Sequence, residues 1–259
     1  MLTLAGRGAI LAGTRRVGAT VAERLAAEGV KIALVYRRSL AEVTALQARI
    51  AEKGEPPLIV QADLGIEEDV HRAVNEAADK MGNLSFCINL ASDYPRTPFE
   101  TLDAAAWDRG MLAARANYLL AVHASRRMLE NPGPTRGHLI FFGDWAAGET
   151  PYHDFLPYLT GKAAIDFMTR AFALELAPKG ILVNQVSPGP TERPPDLPEH
   201  EWAEALQMAP LHRESAPSDM AELITTLLRL ESVTGENIRV DSGRHLAGSG
   251  PADLGTARE

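Results

Sequence analysis

Ala9-Ile10-Leu11-Ala12-Gly13-Thr14-Arg15-Arg16-Val17-Gly18 is a short apolar run that breaks at a glycine-bearing turn. Beyond it Val21, Leu25 and Ala26 recur at helical spacing until Glu28-Gly29, and Lys31-Ile32-Ala33-Leu34-Val35-Tyr36 follows as a second apolar run. Strand, glycine turn, helix with a glycine stop and strand again make a βαβ unit. The second strand is continuously apolar instead of alternating, as expected when helices cover both faces of a parallel sheet.

The same rhythm runs outward from this unit. A polar helix spans about 40–53, a strand over 57–61 ends in Ala62-Asp63-Leu64, and a helix is expected over 67–81. Further strands are expected at 85–90, 138–142 and 181–186, with helical stretches at 107–128 and from Tyr158 to about Glu175. Such alternation predicts an α/β fold, a doubly wound parallel sheet in a single domain over 1–248, with ligands beyond the carboxyl ends of the strands. Two regions break the rhythm. Residues 188–217 hold prolines at 188, 190, 194, 195, 198, 210 and 217 around a helical piece near Trp202 to Met208. The apolar face of Trp202, Leu206 and Met208 favours a substrate lid over a disordered insertion. The polar stretch 249–259 reads as a flexible tail.

Composition narrows the function classes. With 259 residues, 46% apolar and 23% charged, the chain can bury one sizeable core, and no apolar run reaches the roughly 18 residues of a membrane span. The first residues lack the apolar core of a signal peptide, so a cytoplasmic location is expected. Cys87, the single cysteine, cannot form an internal disulfide and falls inside an apparent strand, where a small core residue is expected. The net charge of −8 is diffuse and forms no basic stripe, which argues against nucleic acid. No residue cluster asks for a metal, and a small-molecule partner is expected.

Several residues at strand ends carry chemistry. Tyr158 and Lys162 stand four apart, one turn along one helical face. An ammonium near a phenol favours the phenolate and lowers a pKa that is otherwise about 10. The turn at Gly13, Thr14, Arg15, Arg16, Val17 and Gly18 feeds a helix N-terminus, which suits a phosphate. At the end of the second strand stands Tyr36-Arg37-Arg38-Ser39, with no acid to hold a ribose 2′-hydroxyl. Two guanidiniums and a hydroxyl suit a 2′-phosphate, so the cofactor expected is NADPH (NADP). Asp63, beside Leu64, can accept from an adenine amino group or cap the next helix. Asn89-Leu90-Ala91-Ser92 closes the fourth strand beside the same crevice, and Asn117 lies on an apolar helical face where it needs partners.

Taken together, Tyr158 and Lys162, Asn117, Asn89-Leu90-Ala91-Ser92, the run Val183 to Gly189 and Val240-Asp241-Ser242-Gly243 resemble the short-chain dehydrogenase/reductase family in its usual order, over about 5–248. The resemblance implies a Rossmann fold and hydride transfer from a nicotinamide to a carbonyl or imine. It implies Tyr158 as catalytic acid, Lys162 holding the nicotinamide ribose and lowering the tyrosine pKa, and Asn117 supporting a proton relay. It also implies cofactor contacts at Asn89, Ala91, Pro188 and Gly189, and a homotetramer.

Three departures from the family pattern narrow the substrate. Its Thr-Gly-x-x-x-Gly-x-Gly turn reads Leu11 to Gly18 here, so Ala12 and Arg16 replace glycines, and an alanine at positive φ would be strained. The arginine is similar to pteridine reductases. No serine stands before the tyrosine: aligned from the strand side, Asp144 takes that position, whereas counting back thirteen from Tyr158 reaches Trp145. Of the two only the aspartate can do polar chemistry, and pteridine and dihydromonapterin reductases carry an aspartate there. Asp241-Ser242-Gly243-Arg244-His245-Leu246 likewise resembles the Asp-Gly-Gly-Arg-His-Leu of dihydromonapterin reductases. A carboxylate repels a developing alkoxide but accepts from an N–H-rich ring, so the substrate expected is a pterin or dihydropterin, with Tyr94 and Trp145 available for stacking. The alternatives are a ketone reductase acting on 3-oxoacyl or other carbonyls, and a catalytically silent NADP(H)-binding scaffold or sensor.

Overall fold

A computed structural model describes residues 1–193 and 198–247, so Pro194, Pro195 and the expected tail at 249–259 lie outside the described residues. In chain order the elements are β1 (Gly8–Ala12), α1 (Val17–Ala27), β2 (Lys31–Tyr36), α2 (Leu40–Ala51), β3 (Leu58–Gln61), α3 (Glu67–Met81), β4 (Phe86–Asn89), α4 (Ala104–Met128), β5 (Gly137–Phe142), α5 (Leu156–Leu176), β6 (Ile181–Pro188), α6 (Glu199–Gln207), α7 (Pro217–Arg229) and β7 (Asn237–Val240). The seven strands form one parallel sheet in the order β3-β2-β1-β4-β5-β6-β7. Winding reverses between β1 and β4, where Ala12 pairs with Asn89, and the crevice opens beyond those two residues.

Both faces of the sheet are covered, which is why its strands are apolar throughout. Val21, Leu25, Val43, Leu46, Ile224 and Leu228 of α1, α2 and α7 pack on one face. Val70, Val74, Leu120, Met128 and Ile165 of α3, α4 and α5 pack on the other. Each such side chain contributes about 1.5–3 kcal/mol when fully buried. Cys87 sits in this core, and burial pushes its thiol up to about 12, so it is no nucleophile.

Close approach of α4 and α5 positions the Tyr158 helix. A Cβ on Gly110 would lie 2.4 Å from the Pro157 carbonyl carbon, and one on Gly161 would lie 2.4 Å from the Gly110 oxygen. Only glycine at both positions lets the two backbones touch, so the glycine inside Tyr-x-x-Gly-Lys locks the helix on which both functional side chains ride.

Sequence periodicity placed every element up to β6 within a few residues but gave no reading of α7 or β7. Pro217, counted within the irregular segment, is the N1 residue of α7, a position where its missing N–H costs nothing. Among the described residues no helix is long and apolar enough to cross a membrane.

Candidate active site

Beyond β5 the chain turns at Gly143, whose N–H bonds the Val186 oxygen at 2.8 Å; a Cβ there would lie 2.1 Å from Gln185 Nε2. This tight turn delivers Asp144 into a pocket where it is 8% exposed. Its Oδ1 accepts from the Ala146 N–H at 2.9 Å and its Oδ2 from the Tyr158 hydroxyl at 2.7 Å. The structure therefore joins the strand-side candidate, Asp144, to Tyr158. Burial raises the Asp144 pKa, opposed by the Ala146 N–H, the Tyr158 hydroxyl and the Lys162 charge.

Lys162 is 2% exposed and donates to the Phe142 carbonyl at 2.8 Å, with its Nζ 5.7 Å from the Tyr158 ring centre. Burial lowers it to about 8, and Asp144 pulls the other way. The expectation that Lys162 would lower the tyrosine pKa is not met: burial first, then the Asp144 charge, pushes the Tyr158 phenol well above its ordinary value. The physical reason is desolvation first and the substituted neighbour second. A carboxylate, unlike a serine hydroxyl, is a full negative charge that holds the phenol proton.

Asn117 lies on α4 with its Nδ2 donating to the Ala113 oxygen at 2.8 Å, while its buried Oδ1 has no partner among the described residues. One half of the amide is structural and the other half is free to accept.

At the switch point, Gly13 takes φ +86, and a Cβ there would lie 2.5 Å from the Ala91 nitrogen. Ala12 remains inside β1, paired with Val35, so the feared strain at Ala12 is absent because the turn begins one residue later. Strain falls on Arg16 instead, the N-cap of α1, at φ 48 and ψ −118. No side chain caps α1. Val17 and Gly18 follow in its first turn, Arg15 pairs with Glu42 at 2.7 Å, and Arg16 with Glu192 at 3.4 Å, both on the surface. Thr14 is buried beside them.

Arg37 and Arg38 follow Tyr36 at the end of β2; Arg37 is 3.7 Å from Asp63, and Ser39 stands at the N-cap of α2 without a capping bond. Asp63 does not cap α3 either: it accepts from Gly65 N at 2.9 Å, and the N-cap is Ile66. Leu64 packs on the core beside it. Asn89 accepts from Ala91 N at 3.1 Å, and its buried Nδ2 has no partner among the described residues. Pro188 ends β6, where its oxygen accepts from Trp145 N at 3.2 Å, and Gly189 packs so tightly that a Cβ would lie 2.7 Å from Asp241 Cα.

The two aromatic candidates part company. Tyr94 is 54% exposed and meets Tyr158 edge-on at 4.9 Å. Trp145 is buried under the Arg244 guanidinium at 4.6 Å and stacked on Tyr152 at 6.1 Å, so its ring forms the wall and leaves Tyr94 as the stacking surface. Sequence reading missed Tyr152, Phe155 and the role of Arg244, all brought to Tyr94, Trp145 or Tyr158 by the loop before α5 and by the turn after β7. Only the aromatic spacing Tyr152, Phe155, Tyr158 offered a signal. Ser242, where the resembled run has glycine, takes φ 54.

A family model described as enoyl-(acyl carrier protein) reductase matches residues 11–245. The chain belongs to the short-chain dehydrogenase/reductase family of oxidoreductases. It is 30% identical to the short-chain reductase protein NovJ of Streptomyces niveus, over 94% of this chain and 92% of that one. It is 27% identical to pteridine reductase 1 of Leishmania tarentolae, over 90% and 93%. Among solved structures, FolM alternative dihydrofolate reductase 1 from Brucella suis in complex with NADP matches with a TM-score of 0.87 at 30% identity, over 97% and 99%.

Proposed function

We propose that the chain is an NADPH-dependent reductase of a small conjugated C=N or C=O compound, a pterin or dihydropterin foremost. The observation that carries this reading is the buried contact of Asp144 with the Tyr158 hydroxyl at 2.7 Å. The residues fit the cofactor: Gly13 leaves a cradle that a Cβ would fill, and among the described residues the Asn89 Nδ2 donor has no partner and α1 has no side-chain cap. Arg37, Arg38 and Ser39 would hold a 2′-phosphate, since the exposed pairing of Arg37 with Asp63 is worth no more than about 1 kcal/mol and yields to a dianion. Tyr36 and Asp63 would flank the adenosine, Arg15 and Arg16 the phosphates, and Lys162, Pro188 and Gly189 the nicotinamide end. NADPH supplies the hydride when bound.

The protein side of the reaction is proton management. Tyr158 holds a proton that its environment makes hard to lose to water, and it gives that proton to an atom that becomes strongly basic as the double bond is reduced. Asp144, with its raised pKa, accepts or returns a proton at the same oxygen pair. A ketone gains little here, because the growing alkoxide faces a carboxylate; a ring nitrogen with adjacent N–H groups gains an acceptor. Tyr94 supplies a flat exposed ring beside Tyr158, and the Asn117 Oδ1 is free among the described residues to accept from a water. The described parts of the expected lid, 188–193 and 198–217, with Trp202 bonded to Glu214 at 3.0 Å, would flank the substrate side. An NADPH-oxidation screen with dihydrobiopterin, dihydrofolate, quinonoid pterins and a ketone panel tests the reading: oxidation with pterins is expected, and oxidation with ketones alone overturns it.

A further inference from the structure

Three successive residues at the end of β5 are each engaged. The Phe142 oxygen accepts from Lys162, and Asp144 accepts from the Tyr158 hydroxyl. Gly143 between them lies against two side chains of β6: a Cβ there would stand 2.1 Å from Gln185 Nε2 and 2.3 Å from Ser187 Oγ. Gln185 and Ser187 are fully buried in a strand covered on both faces, where apolar residues are the rule. An amide and a hydroxyl there are tolerated only with their hydrogen bonds made.

Those bonds form one directed chain. Gln185 Nε2 donates to Ser187 Oγ at 2.9 Å, Ser187 Oγ to Asn237 Oδ1 of β7 at 2.6 Å, and Asn237 Nδ2 to Asp166 Oδ1 of α5 at 2.9 Å. Arg170 pairs with the same carboxylate at 2.7 Å. A carboxylate only accepts, so Asp166 turns the Asn237 amide and makes Ser187 the donor to it. The amide nitrogen of Gln185 is thereby set against Ser187 and Gly143, and its Oε1 faces α5. There it accepts from Thr169 Oγ1 at 3.1 Å, two turns beyond Lys162.

We propose that Gln185 is a positioning residue for the acid pair: its amide, oriented by Asp166 through Asn237 and Ser187, wedges between Gly143 and Thr169 and fixes the register of α5 against the turn that carries Asp144. This rests on the proposed reductase reading. The contacts close a ring. Helix α5 reaches the turn through Tyr158 at its amino end, and again through Thr169 and Asp166 by way of Gln185. With the second connection made, α5 cannot slide or rotate without breaking buried hydrogen bonds, and the 2.7 Å contact of Tyr158 with Asp144 is held. With it broken, the Tyr158 hydroxyl and the carboxylate lose their alignment while the fold keeps its core.

The experiment compares the parent protein with Gln185→Met, which keeps the length of the side chain and removes the amide, and Asp166→Asn, which leaves Gln185 in place and takes away the acceptor that orders the chain. The first readout needs no cofactor: carbon NMR of protein labelled at the tyrosine Cζ, with the Tyr158 signal assigned by Tyr158→Phe, reports the hydrogen bond from that hydroxyl to Asp144. The signal is expected to move in both variants, further in Gln185→Met. The second readout is steady-state reduction, where kcat is expected to fall about 10-fold in Gln185→Met with KM unchanged, and by less in Asp166→Asn. Asp166→Asn, at a partly exposed residue, carries the test should Gln185→Met fail to fold. A Tyr158 signal unmoved in the folded variants, or a lowered Tm with kcat unchanged, makes Gln185 a packing residue and overturns the proposal. A moved signal where the parent protein reduces nothing supports the positioning role and sinks the reductase reading alone.

Discussion

His138 at the amino end of β5 and Asp144 just past its carboxyl end are both buried, 0% and 8% exposed, yet the protein treats them oppositely. Neither ring nitrogen of His138 has a partner among the described residues, and burial, with Arg7 adding and Glu231 opposing, drives it down to about 4. It is a neutral filler beside Phe86. Asp144 suffers the same desolvation but receives a phenol, a backbone N–H and a nearby ammonium. Burial by itself disfavours the charged form of an ionisable group, and matched donors oppose that penalty.

The largest effect should come from breaking the Asp144 end. Tyr158→Phe is expected to lower single-turnover reduction about 10³-fold with folding intact, because it removes the donated proton. Asp144→Ser should move preference from pterins toward ketones in the same assay. Next, Arg37→Ala combined with Arg38→Ala should weaken NADPH by about 100-fold, two charge-assisted contacts of about 1.5 kcal/mol each, and leave NADH unchanged in a fluorescence titration. Equal weakening of both cofactors would remove the 2′-phosphate assignment.

The His138 end predicts a stability effect instead. An unfolded chain protonates this histidine near pH 6.5, whereas the folded protein resists until about 4. Between those values the unfolded state binds more protons, so stability is lost as pH falls, by at most about 3 kcal/mol. Urea titrations of His138→Leu should lack that part of the acid slope and match the parent protein at pH 7. A comparable slope in the variant would mean that the ring is hydrated. Lys162 supplies a smaller effect: with its pKa lowered to about 8, the ammonium is lost above that pH, and reduction should decline about tenfold per unit beyond it. Smallest of all, Ser242→Gly should raise stability by less than about 1 kcal/mol by relieving φ 54.

The site was partly legible. Arg37, Arg38 and Asn89 are strand-end residues, and a parallel sheet brings strand ends together whatever the loops do. Tyr158 and Lys162 were legible because helical spacing fixes their face. Tyr152 and Arg244 were not, because a loop and the turn after β7 reach the site by packing that no periodicity encodes. Ala12 misled for a related reason: a motif fixes spacing, whereas the onset of positive φ depends on where β1 ends against β2 and β4.

Sequence by itself determined the winding of the sheet up to β6, the crevice at the ends of β1 and β4, the absence of an acid after β2, and the replacement of serine by aspartate. Those follow from local periodicity and residue chemistry. Only the tertiary structure decided that Asp144 and not Trp145 meets Tyr158, that the phenol is pushed up and not down, and that Trp145 is wall while Tyr94 is surface. Each of these depends on which groups share a desolvated space, and that is set by packing between segments far apart in the chain.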